Sequence, residues 1–134
     1  MAERLFTLTE ATALLGPLRQ CIDDLHESIA ALREESVRLA PVLEDTDASV
    51  GGPDLRQYAR AQLTVARCLR QIDHWGVILR DVEAGLCDFP ATRDGRLVYL
   101  CWRVREPRIG HWHEVGEGYG GRQTLDDYWD PGPL

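Results

Sequence analysis

The sequence predicts an α+β protein in which a long antiparallel helical hairpin, coiled-coil-like in its packing, precedes a small antiparallel β unit. Three observations carry this. An apolar stripe spaced alternately by three and four residues runs from Leu15 to Leu43. A second stripe of the same period runs from Leu55 to Ile72. After Gly76 the period changes from helical to alternating, as it does when a chain passes from helices into strands. At 134 residues the chain is expected to form a single domain, with the hairpin over 7–75, the β unit over 77–122 and a tail over 123–134.

Thr7-Leu8-Thr9-Glu10 fits a capping box and places the first helix start. Pro17 should mark a kink or a new helical start, because proline removes one backbone hydrogen bond and crowds the preceding turn. The seam then reads Leu15, Leu18, Ile22, Leu25, Ile29, Leu32, Ser36, Leu39 and Leu43, with only Ser36 polar. Such a seam packs at a shallow angle on a partner helix. The stretch from Pro41 to Pro53, with Asp45, Asp47, Ser49, Gly51 and Gly52, reads as the connecting loop. The second helix should span Asp54 to Trp75. Its seam is Leu55, Tyr58, Val65, Leu69 and Ile72, interrupted at Gln62, and a second apolar row runs Ala59, Leu63, Ala66. Gly76 is the natural stop.

The β unit opens with a short strand at Val77-Ile78-Leu79. A second segment runs from Gly85 to Phe89, closed by Pro90. Arg93-Asp94-Gly95 supplies a turn into Arg96–Val104, the clearest strand of the chain, and Ile109–Val115 returns as its hairpin partner. Val98, Leu100, Trp102 and Val104 form the core face of the central strand. Leu97, Tyr99, Cys101 and Arg103 form the other. The tail, with its acids and prolines, reads as a loose or docking segment.

Composition narrows the function classes. The net charge is −7, every one of the fifteen basic residues is arginine, and no basic patch offers a groove for nucleic acid. Residues 1–50 carry a net −6 and residues 51–75 a net +2, which suggests complementary faces within the hairpin or between two copies in a homodimer. No apolar run approaches the roughly 20 residues that span a bilayer, so no membrane partner is expected. The N-terminal residues lack the pattern of an export signal, so a cytoplasmic setting is expected. There Cys21, Cys68, Cys87 and Cys101 read as reduced thiols.

Several dispersed motifs carry a resemblance. They are Phe6-Thr7-Leu8-Thr9-Glu10-Ala11 through Leu14, Leu15 and Pro17; Arg80, Asp81, Gly85, Leu86 and Asp88-Phe89-Pro90-Ala91; Val98 and Leu100-Cys101-Trp102; and Glu106, Ile109, Trp112-His113-Glu114, Gly118, Tyr119, Gly121 and Arg122. In this order they resemble an uncharacterised bacterial family of similar length, a domain of unknown function. The resemblance covers Phe6 to about Leu125. Arg105 departs from the family's usual glycine, and Gly116 from its usual acid. The resemblance implies a shared fold and supplies no activity.

Nearly every residue suited to chemistry lies between Asp88 and Arg122. His111-Trp112-His113 places two imidazoles on one face of a strand, a geometry suited to a divalent metal such as zinc, and Cys101 is the third candidate ligand. The hairpin register decides whether it can serve. A connection of two or four residues before Ile109 pairs Cys101 with Trp112 and turns the thiol away from both histidines. A connection of three or five residues, or a bulge, brings all three to one face. The alternative is a metal-free polar pocket. Glu106, His113 and Glu114 would then be acid–base (catalytic) candidates, with Asp88 and Arg122 holding an anionic small molecule. Against both stands the plain reading of satisfied core histidines, a small buried cysteine and a surface ion pair. Gly116, Gly118 and Gly121 match G-x-G-x-x-G only formally, since no helix and parallel strand follow. A non-catalytic interaction or scaffolding protein, binding through its helices, is the reading from another class.

Overall fold

A computed structural model describes residues 4–44 and 53–129. Two helices, α1 (Leu8–Glu44) and α2 (Pro53–His74), precede a sheet of five strands: β1 (Ile78–Asp81), β2 (Leu86–Arg93), β3 (Arg96–Arg103), β4 (His111–Glu114) and β5 (Gln123–Thr124). Every neighbouring pair is antiparallel and the strands follow in chain order, so the sheet is a meander. The α+β class expected from the periodicity is the observed one.

The capping box is formed. The Thr7 amide donates to Glu10 Oε1 at 2.9 Å and the Glu10 amide to Thr7 Oγ1 at 3.1 Å. From there α1 runs through Pro17 and Pro41 without a break, so neither proline starts a new helix or a loop as the sequence suggested. A proline inside a helix costs ~3 kcal/mol. Leu15, Leu18, Ile22 and Leu25 are all buried, and each such burial contributes about 1.5–3 kcal/mol, which outweighs that cost. Ile29 and Leu32 are half-buried and Ser36 is exposed, while the side chains of Leu39 and Leu43 lie outside the described residues. So do residues 45–52, most of the expected loop.

The seam of α2 differs from the expected one. The run that faces α1 is Tyr58, Ala61, Val65, Cys68 and Ile72, while Gln62 is exposed and Leu69 is 42% exposed. Ala61 and Cys68 are small, which suits a close approach of two helices. Hydrophobicity alone pointed to Leu69. Helix α2 ends in a Schellman motif. The Gly76 amide donates to the Asp73 carbonyl and the Val77 amide to that of Ile72, with Gly76 at φ 85°.

Strand β2 continues through Pro90, which the sequence reading took as its end. Pro90 pairs with Tyr99 of β3, and its carbonyl, facing away from β3, accepts the Phe6 amide at 2.7 Å. The N and C=O of one strand residue point to the same side. The missing N–H therefore faces the edge beyond Asp88, where pairing with β1 has ended, and costs no ladder bond. The turn expected over Arg93-Asp94-Gly95 is shorter: Arg93 pairs with Arg96, so Asp94 (φ 52°) and Gly95 (φ 78°) alone make it, as a two-residue loop between β2 and β3.

One face of the sheet packs on the first half of α1. Phe89, Val98, Leu100, Trp102 and Trp112 meet Leu15, Leu18 and Ile22 in a single core. Trp129, in a short 3-10 turn (Asp127–Trp129), joins that core from the segment after β5. The opposite face of the sheet carries the polar cluster described next.

Candidate metal centre

Alternation along β2 buries Cys87 and Phe89 on the helix side and turns Asp88 to the other. Register does the rest. Asp88 pairs with Cys101, Tyr99 with His113 and Cys101 with His111. Extending the β3–β4 pairing leaves residues 104–108 as a five-residue connection, the case in which Cys101 shares a face with both histidines. The connection is held at Glu106. Its carboxylate accepts the Arg103 amide at 2.7 Å, and its carbonyl accepts from Trp102 Nε1 at 2.9 Å and Arg19 at 3.0 Å.

Asp88, Cys101 and His113 are all buried, and each offers a ligand-type atom within 4.8 Å of the other two. His113 Nδ1 lies 2.8 Å from the Glu114 carbonyl, which can only accept, so Nδ1 carries the proton. Nε2 then faces Asp88 Oδ1 at 3.0 Å. Arg80 donates from Nε to the other Asp88 oxygen at 2.9 Å. Metal-binding histidines are held in this way at the nitrogen away from the metal, by a backbone carbonyl or carboxylate; in His113 the second nitrogen meets Asp88. Arg80 leaves one Asp88 oxygen for a cation.

Burial, with the Asp88 carboxylate alongside, pushes the Cys101 thiol up to about 12. The same burial pushes Cys87, on the helix side, to about 12. Neither thiol is a free nucleophile in this state. A thiol coordinated to a metal is deprotonated outright, so Cys101 would act as a ligand only with a cation bound, and otherwise it fills the space between strands as a small buried side chain. Zinc ligands at about 2.0–2.3 Å from the ion stand about 3.5 Å from each other. To hold such an ion, the His113 and Asp88 atoms, now 3.0 Å apart, would open slightly around it, with the Cys101 sulfur within 4.8 Å of both.

Of the remaining residues singled out in the sequence, His111, Glu106 and Arg122 form a neighbouring cluster. Arg122 donates to Glu106 at 2.7 Å and to the Cys101 carbonyl at 3.3 Å, and His111 Nδ1 lies 3.8 Å from Glu106. His111 shares the face but stands outside the three-atom group. Burial raises the Glu106 carboxyl, yet the hydrogen bonds from Arg122 and the Arg103 amide outweigh it and hold the group below the ordinary range. Glu114 lies apart. It takes two hydrogen bonds from Arg96, at 3.0 and 2.6 Å, on the far side of its strand.

Beside Asp88 and His113 a cleft of about 340 Å³ is lined also by Arg80, Leu86, Val115, Gly116, Gly118 and Tyr119. Arg80 was not singled out as a site residue in the sequence. Its one signal was its position at the end of a strand, directly before Asp81, in the motif that also holds Asp88. The formal G-x-G-x-x-G is the rim of this cleft and a 3-10 turn (Tyr119–Gly121), followed by the antiparallel strand β5.

Fold and site together define a two-helix α+β protein with a buried carboxylate–thiol–imidazole cluster on the outer face of its meander. The chain belongs to the uncharacterized conserved protein family DUF2203, whose family model matches residues 4–125. No curated protein and no solved structure matches it. Among the described residues no helix is long and apolar enough to cross a membrane.

Proposed function

We propose that this protein binds a divalent cation such as zinc through Asp88, Cys101 and His113. One observation carries the reading: three ligand-type atoms from three adjacent strands lie within 4.8 Å of one another in a buried setting. The anchored Nδ1 of His113 and the Arg80 contact to Asp88 support it. Three protein ligands leave a fourth position, the pattern of catalytic rather than structural zinc sites. Glu106 is then a positioning residue for the β3–β4 connection. A thiolate ligand suits a reducing compartment such as the cytoplasm, in keeping with four cysteines that are all unpaired.

The test is metal analysis of untagged protein together with Co²⁺ titration, in which a cobalt–thiolate bond gives a near-ultraviolet charge-transfer band. Stoichiometric uptake with that band, lost in Cys101→Ser and His113→Gln and kept in His111→Ala, is the expected result. Absence of uptake, or uptake indifferent to Cys101→Ser and His113→Gln, overturns the reading.

A homodimer is a separate proposal, supported by the outward row of α2, where Leu63 is 68% exposed between Ala59 and Ala66. An apolar row turned to water on a surface helix favours a partner helix, here a second copy or another protein. Light scattering should give twice 15.1 kDa, falling to one copy in Leu63→Glu. A concentration-independent monomer overturns it.

A further inference from the structure

We infer that the cleft beside Asp88 and His113 takes a small organic carboxylate, gripped by Arg80 and completing the coordination of the cation; this rests on the metal reading above. Asp88 and His113 line the cleft, whereas Cys101 does not. A cation held by all three therefore has its free position on the cleft side. Arg80 stands at the same opening. Its Nε is committed to Asp88, its guanidinium lies 5.0 Å from the centre of the Tyr99 ring, and its side chain is 44% exposed. Tyr99 is a second partner of the group, and the exposed part of Arg80 lines the cleft.

Charge selects the class of ligand. The Asp88 carboxylate and a Cys101 thiolate neutralise a dication, and His113 as a ligand is neutral. Arg80 then leaves one positive charge at the mouth, which calls for a monoanion. A guanidinium suits the paired oxygens of a carboxylate, as it does those of a phosphate, and the single net charge favours the carboxylate. Leu86, Val115 and Tyr119 supply apolar walls for an organic group. At Gly116 and Gly118 an added Cβ would meet nothing within 4 Å, so the rim is open.

Co²⁺-loaded full-length protein, titrated with acetate, with the neutral isostere acetamide and with inorganic phosphate, tests this through the visible ligand-field spectrum. Acetate should change the spectrum saturably and acetamide should not. Arg80→Gln keeps a donor for Asp88, so it should retain Co²⁺ stoichiometry while weakening acetate about tenfold to a hundredfold. A Co²⁺ spectrum indifferent to acetate, an equal response to acetamide, or an unchanged acetate affinity in Arg80→Gln overturns this inference and leaves the metal reading standing. Tighter binding of phosphate than of acetate overturns the carboxylate assignment. Failure of Co²⁺ to bind at all overturns both.

Discussion

His113 Nε2 stands 3.0 Å from Asp88 Oδ1 while Nδ1 of the same ring is held 2.8 Å from the Glu114 carbonyl. With Nδ1 protonated, the second contact needs one further proton between Nε2 and the carboxylate. A cation at the proposed centre would take the place of that proton. The His113 and Asp88 side chains are 3% and 2% exposed, which makes the pair a structural element as well as a candidate ligand set.

His113→Ala should therefore do more than remove a ligand. It leaves a buried carboxylate short of one partner, and breaking a buried pair costs about 3–5 kcal/mol. Chemical denaturation at neutral pH should show that loss, and His113→Gln, which can still donate to Asp88, should recover part of it. A near-neutral His113→Ala would mean that the pair does not form in solution.

Trp129 is 6% exposed and packs at 6.1 Å, ring centre to ring centre, on Trp112. Trp129→Ala should cost about 3–5 kcal/mol, the range for an aromatic removed from a core. An exposed control, Tyr119→Ala, should cost far less. Equal midpoints for the two variants in a denaturant titration would show that the segment after β5 is not docked.

Gly85 sits at φ 62°, and an added Cβ would lie 2.7 Å from Val104 Cγ1. Strain of this kind costs about 1–3 kcal/mol. Gly85→Ala should lower the melting temperature, whereas Gly110→Ala, where a Cβ meets nothing within 4 Å, should not do so by strain or crowding. Similar melting temperatures for the two would contradict the tight β1–β2 turn.

The lowered pKa of Glu106 has a defined sign. Its contribution to stability is fully present above the unfolded value of 4.5, and it is lost as pH falls through the lower folded value. Urea midpoints should decline below about pH 4.5, and Glu106→Gln should flatten part of that decline while lowering stability at neutral pH. An acid limb identical in the variant would remove Glu106 as a contributor.

Much of the helical part was legible in the chain because it is local. The capping box at Thr7 and Glu10, the stripe from Leu15 to Leu25, the stop at Gly76 and the turn at Asp94-Gly95 each depend on residues a few positions apart. The seam of α2 was read correctly at Tyr58, Val65 and Ile72 and one residue late at Gln62 and Leu69, since Ala61 and Cys68 are chosen by how closely two helices approach, not by hydrophobicity. Pro41 and Pro90 were misread as boundaries, and Pro17 does not open the new helix offered as one of its two readings, for a related reason. Whether a proline breaks an element depends on what its neighbours bury and on which side its missing N–H faces.

By itself, then, the sequence determined the element types, the core face of the central strand and the short list from which a site could be drawn. Only the tertiary structure decided that Cys101 faces His113, that Asp88 rather than His111 completes the group, and that Arg80 joins it while Glu114 does not. Side-chain periodicity is local to each strand. Bringing residues 80, 88, 101 and 113 to one place depends on register, which the lengths and anchoring of the connections set, and an error of one residue in a strand would turn its side chains to the opposite face.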